Sequence, residues 1–220
     1  MDVEADILAC AVHESASWLG RVLSGQRQGR ALNIRYAVIE KDRRCALSAA
    51  LKWRSLLSAI VVISAGSLLH FAWEWSGRST VVAVFAATNE STWEHLKLAF
   101  WPALALTPIQ RKIYGSAPGW LPATAIRCML PSFVIVALFY GYTALLGSHH
   151  LAADLAIFAI AIFAGEFLGH ALLTREFGSK SRLGACGLLM LATVLFATLT
   201  FSPPDCFLFH EPPSSRSGEG

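Results

Sequence analysis

Residues Ser55–Trp75 read SLLSAIVVISAGSLLHFAWEW, 21 positions in which only His70 and Glu74 can carry charge. At about 1.5 Å of rise per residue such a helix crosses a hydrocarbon core of roughly 30 Å. Four further segments extend the pattern. Cys128–Gly147 is uncharged, with Pro131 in its first turn, where a missing N–H costs least. Leu151–Leu173 carries Asp154, Glu166 and His170, and Leu183–Phe201 stops before Pro203-Pro204. Ser91–Gln110 is the most polar of the set: Ser91 and Glu94 have capping-box spacing, and Pro102 and Pro108 predict a kinked spanning helix with a wet entrance. The competing expectation is a helix that enters the membrane and returns.

Composition agrees with a bilayer. The 220 residues are 55% hydrophobic and 15% charged, against roughly 45–50% and about 25% in soluble domains. A soluble enzyme, a disordered chain and a disulfide scaffold are excluded; the five cysteines have no CxxC spacing. A net charge of +3 is too small to indicate nucleic acid. The expected fold is therefore all-α and polytopic, with about five transmembrane helices over 55–202, preceded by a weakly structured extension at 1–54 and followed by a flexible tail at 203–220. Within the extension, residues 6–23 have amphipathic helical character and Leu32–Glu40 is strand-like. Placing the amino terminus inside puts 15 of the 18 basic residues on the cytoplasmic side, leaving Arg78, Lys97 and Arg216 outside. This predicts a cytoplasmic N-terminus and an extracytoplasmic C-terminus, in the plasma membrane.

Charge at membrane depth costs about 2.5–3.5 kcal/mol per group on insertion scales, so each ionisable residue needs an explanation. Several share a spacing of four: His70 and Glu74, Glu90 and Glu94, His150 and Asp154, Glu166 and His170. On a helix that spacing places both side chains on one face, able to hold one cation or share one proton. The topology sends the first three pairs, with His95, to the outer interface and leaves Glu166 and His170 near the inner face. The candidate site is thus a divalent metal held by His70, Glu74, His95, His150 and Asp154, with Glu90 or Glu94 as the catalytic base. The blander expectation is that these groups fasten helices, Glu94 to Lys97 and Arg78 to Glu74 or Glu90. Asn89-Glu90-Ser91 fits a glycosylation sequon, although a capping role suits its position better. Gly165 and Gly169 read as a small-xxx-small packing pair.

The run His70-Phe-Ala-Trp-Glu-Trp-Ser-Gly77, followed by Asn89-Glu-Ser-Thr-Trp-Glu-His-Leu-Lys97 and Phe100-Trp-Pro102, resembles a family of small bacterial multi-pass membrane proteins known as domain of unknown function 6512. The ending Phe201-Ser-Pro-Pro-Asp-Cys-Phe-Leu-Phe209 is similar to that family's as well. The likeness runs from Leu51 to Glu211. It departs at Trp73, where tyrosine is expected, and at Glu166, where an amide is. The resemblance implies that the outer motif residues, and not Glu166 and His170, are the group's signature. Three functions remain open: a metal-dependent membrane hydrolase acting on a lipid or other amphiphile, a small transporter or proton-coupled carrier, and an assembly protein without chemistry. Membrane lipid is the expected partner, and an oligomer is compatible with each.

Overall fold

The computed structural model describes the backbone of residues 30–115 and 117–211, with side chains from residue 53 onward. All regular elements among the described residues are helices: α1 (Arg30–Trp75), the single turn α2 (Thr80–Ala83), α3 (Thr92–Tyr114), α4 (Trp120–Leu146), α5 (Leu151–Leu172) and α6 (Ser179–Thr198). The strand-like run at residues 32–40 lies inside α1. It adjoins EKDRRCALSAALKW, rich in helix formers, and propagation of a wound helix outweighs the weak β preference of a few branched residues. The amphipathic reading of residues 6–23 lies outside the described residues. The chain divides between Arg54 and Ser55 into two units, and the helical bundle belongs to the second.

Among the described residues four helices are long and apolar enough to cross a membrane: Trp53–Trp75 of α1, α4, α5 and α6. Their outer faces carry Leu57, Ile60 and Leu68 on α1, Phe133 on α4, Ile160 on α5 and Met190, Leu191 and Val194 on α6, all exposed. Large apolar side chains pointing outward on every side of a helical bundle match a lipid solvent, not water. The chain is a multi-pass membrane protein.

The fifth long helix, α3, is less apolar because its first half is buried among its neighbours. Ten of its 23 residues are buried, including Thr92, Glu94, Lys97 and Gln110, against three of 20 in α6. Its neighbours, not lipid, solvate those groups. It is continuous from Thr92 to Tyr114 through both prolines, about 34 Å at helical rise, and does not turn back. Pro102 has no N–H to offer the Leu98 carbonyl one turn earlier. Gly66 of α1 packs onto that carbonyl: a Cβ there would lie 2.4 Å from Leu98 O and 2.9 Å from Phe158 Cζ. The core around this contact is Val62, Phe100, Cys128, Ile162 and Phe196.

Helix α4 begins at Trp120, eight residues before its apolar run, so Arg127 lies inside it and is 2% exposed. Its counterpart on α5 is the stripe Gly165/Gly169. A Cβ at Gly169 would meet Arg127 Cγ at 2.5 Å and Ala123 O at 2.9 Å, which is the close packing the small-xxx-small spacing predicts.

The proline-rich ending is fastened as far as Phe209. Trp93 N–H, one of the unsatisfied donors of the first turn of α3, donates to Leu208 O at 2.8 Å. Phe209 stacks on Trp93 with ring centroids 4.8 Å apart, and Tyr140 OH donates to Phe207 O at 3.0 Å. Residues 212–220 lie outside the described residues.

Candidate functional site

The loop from α2 to α3 ends in a turn built by its own side chains. Asn89 Oδ1 accepts the Ser91 N–H at 3.0 Å, and Ser91, the N-cap of α3, accepts the Glu94 N–H on Oγ at 3.4 Å. Ser91 thus caps the helix as the sequence predicts, and Asn89 is occupied in the turn. The reciprocal half of a capping box is absent, because the Glu94 carboxylate turns elsewhere. This geometry leaves Glu90 exposed on the bend and sets His95 one turn into α3, facing His70 of α1.

Here two of the five predicted ligands, His70 and His95, meet Glu90, which the sequence reading assigned as a catalytic base and not as a ligand. One ligand atom from each of His70, Glu90 and His95 lies within 4.8 Å of the other two. His95 Nε2 is 3.5 Å from Glu90 Oε2, His70 Nε2 is 3.9 Å from Glu90 Oε1, and the imidazole centroids are 5.2 Å apart. His95 Nδ1 is 2.9 Å from Ser91 O. A carbonyl oxygen only accepts, so Nδ1 carries the proton, and a neutral His95 presents the Nε2 lone pair to the cluster. A backbone carbonyl on the far nitrogen is the usual support of a metal-binding imidazole. The exposed pair Phe71 and Trp75 flanks the cluster: His70 meets Phe71 edge-on at 4.9 Å, and Phe71 stacks on Trp75 at 5.7 Å.

The other predicted residues are placed elsewhere. Glu74 pairs with Arg78, its Oε1 3.2 Å from Nη2, in the turn where Gly77 and Arg78 both have positive φ. Glu94 is 2% exposed and faces Lys97, fully buried, at 2.7 Å. Thr88 donates to Glu94 Oε2 through both its N–H and Oγ1 at 2.9 Å. Lys97 Nζ completes its shell with Ala83 O at 2.8 Å and Thr200 Oγ1 at 2.9 Å. This buried network ties α2, α3 and the end of α6 together, and it holds the Glu94 carboxylate away from the His70–Glu90–His95 cluster.

Asp154 joins neither group. Tyr142 OH donates to its Oδ1, and His149 Nδ1 lies 3.1 Å from its Oδ2. His150, expected to share a helical face with Asp154, is the N-cap of α5 with φ −131° and ψ 124°, so the four-residue spacing does not operate across it. His149, one position earlier, makes the contact, and only the exposed His150 backbone takes part, donating to Tyr142 OH at 3.0 Å. The same limit applies at Glu90, which precedes the N-cap of α3.

At the other level of the bundle, Arg127 Nε sits 3.4 Å from Glu166 Oε2, both buried. Gln110 Nε2 donates to Ser58 Oγ at 2.7 Å and reaches Glu166 Oε1 at 3.3 Å. The Arg127 guanidinium lies over the Tyr114 ring at 5.0 Å, and His170 faces the same ring at 6.4 Å. Arg127 was legible only as a flanking positive charge, and Gln110 and Ser58 as nothing in particular. A polar residue at helical spacing opposite Glu166 would have been the signal.

No curated protein and no solved structure matches the chain. One family model does, over residues 43–218, a span that takes in His70, Glu90, His95 and both buried ion pairs. With four fifths of its length matched, the chain belongs to DUF6512, a family of unknown function.

Proposed function

We propose that this membrane protein binds a divalent transition metal, zinc by preference, through His70, Glu90 and His95, and uses it to activate water against an amphiphile at the membrane surface. The observation that carries the reading is the convergence of two imidazoles and a carboxylate from α1, the α2–α3 loop and α3, with His95 Nδ1 already fixed by Ser91 O. Two histidines and one carboxylate suit zinc, and three protein ligands leave a fourth position for water, the arrangement of catalytic and not structural zinc. Tetrahedral ligands about 2.0–2.1 Å from zinc stand roughly 3.3 Å apart. The widest separation in the cluster must therefore close by up to about 1.5 Å, through rotation of the imidazoles and of the exposed Glu90 side chain.

Bound zinc brings the pKa of its water to about 7, so a hydroxide nucleophile needs no separate strong base. That matters because Glu94 is engaged by Lys97 and Glu90 is taken up as a ligand. The flanking Phe71 and Trp75 are the side chains expected where a helix leaves the bilayer, which favours a substrate carried in the membrane surface. The five-span topology with a cytoplasmic amino terminus belongs to this proposal. Arg127 and Lys97 are buried in ion pairs and drop out of the charge comparison, and the bias survives without them.

The buried ion pairs favour a second reading, assembly without chemistry, since Glu94–Lys97 and Arg127–Glu166 are both fastenings between helices. Carriage of ions is not favoured: Val62, Phe100, Cys128 and Ile162 fill the core with almost no exposed surface. The test is metal content after purification in detergent without chelator or affinity metal. About one zinc per chain, kept by Glu74→Gln and lost in His95→Gln, is the expected result. A metal-free protein that takes up no added zinc would leave assembly as the function.

A further inference from the structure

A second cluster occupies the same end of the bundle and is independent of the metal reading. The last turns of α4, the α4–α5 turn and the tail through Glu211 line a half-open cavity of about 390 Å³. Three of its walls are aromatic and stand nearly at right angles. Phe139 and Tyr140 are 5.3 Å apart at 85°, and Tyr140 and Phe207 are 5.0 Å apart at 80°. The remaining lining includes His149, His210 and Glu211.

The two histidines are held from behind by aspartates. Tyr142 OH accepts the His150 N–H, so its own hydrogen goes to Asp154 Oδ1. That leaves Asp154 Oδ2 to accept from His149 Nδ1 at 3.1 Å. Asp205 Oδ1 likewise accepts from His210 Nε2 at 2.8 Å. Each histidine is thus matched by an aspartate, so the Glu211 carboxylate leaves this group with net negative charge beside the aromatic walls. A net negative lining calls for a cationic donor, and aromatic walls attract an organic cation through the ring quadrupole.

We propose that this cavity binds the primary ammonium of a membrane lipid headgroup of the ethanolamine type, its N–H groups directed to the Glu211 carboxylate and its methylenes against Phe207 and Tyr140. A lipid source is part of the proposal because Phe139 and Tyr140 lie in the last two turns of Trp120–Leu146, one of the four described helices apolar enough to span, and headgroups lie at the end of a span. A divalent metal has no use for three aromatic walls.

Full-length protein in detergent is offered equimolar phosphatidylethanolamine and phosphatidylglycerol with identical acyl chains, and bound lipid is counted by native mass spectrometry. Phosphatidylethanolamine should be retained about fivefold or more over phosphatidylglycerol. Glu211→Gln, an exposed position where folding is not at stake, should bring the two close to parity, and Glu211→Asp should restore most of the preference. Phe207→Ala should weaken retention about three- to tenfold, the worth of one cation–π wall. Equal retention of both lipids, or a preference unchanged by Glu211→Gln, overturns the proposal. So does binding of soluble phosphoethanolamine with no preference among lipids, which would assign the cavity to a free amine. His95→Gln should leave the lipid preference intact, which separates this outcome from the fate of the metal site.

Discussion

Replacing Lys97 by methionine removes a cation while leaving its partner where it is. Lys97 Nζ makes three contacts, to Glu94 at 2.7 Å, Ala83 O at 2.8 Å and Thr200 Oγ1 at 2.9 Å, which uses all three of its hydrogens. In Lys97→Met the Glu94 carboxylate, 2% exposed, keeps only the Thr88 donors and the Thr200 hydroxyl at 3.4 Å. Breaking a buried pair on one side costs about 3–5 kcal/mol, because the remaining charge is neither solvated nor matched. For a chain of this size that is a fall in Tm of about 6–20 °C. Glu94→Gln should destabilise for the mirror reason. The double variant, which removes both charges and keeps the Thr88 donors to an amide oxygen, should recover about 2 kcal/mol or more of the summed losses. The assay is thermal unfolding in one detergent, followed by helical circular dichroism. Single variants within 2 °C of the parent, or losses that simply add in the double variant, would overturn the role of Glu94 as a fastening and return it to the catalytic candidates.

Other outcomes rest on the same geometry. Gly169→Leu should destabilise by about 1–3 kcal/mol or more, since even a Cβ there meets Arg127 Cγ at 2.5 Å, whereas Gly184→Ala and Gly187→Ala, in open space on α6, should be neutral or slightly stabilising; helical melting compares them. Among the described cysteines, Cys128 is fully buried and should resist maleimide in the folded protein, while Cys206 on the tail should react, as counted by intact mass. Ending the chain after Ser202 removes the Leu208 and Phe207 carbonyl acceptors and the Phe209 stack, and should red-shift tryptophan emission as Trp93 becomes wet.

The apolar spans could be read from sequence because lipid demands an unbroken run, and α1, α4, α5 and α6 have one. Helix α3 was legible as a helix by its cap but not as one buried through its first turns, since a polar residue looks alike whether water or a neighbouring helix solvates it. A four-residue spacing places two side chains on one face only inside a wound helix, and His150 and Glu90 sit at or before N-caps, where the backbone is extended or bent. Inside α1 the spacing did not join its pair either, because Glu74 faces Arg78 while His70 faces Glu90. Yet His70, Glu90 and His95 do meet, through tertiary packing of α1 on α3 at Gly66 and not through shared faces. The partners that decide each carboxylate's role, Thr88 and Thr200 for Glu94 and Arg127 and Gln110 for Glu166, come from distant parts of the chain and carry no local signal.

X-ray absorption at the zinc edge, on detergent-purified protein loaded with one equivalent of zinc, decides the metal site. The expected spectrum is that of a four-coordinate ion with two imidazole nitrogens at about 2.0–2.1 Å and oxygen donors at about 2.0–2.2 Å, with one imidazole lost in His70→Gln and again in His95→Gln. A hydrated, six-oxygen shell, or a spectrum indifferent to both substitutions, would rule out zinc held by His70, Glu90 and His95.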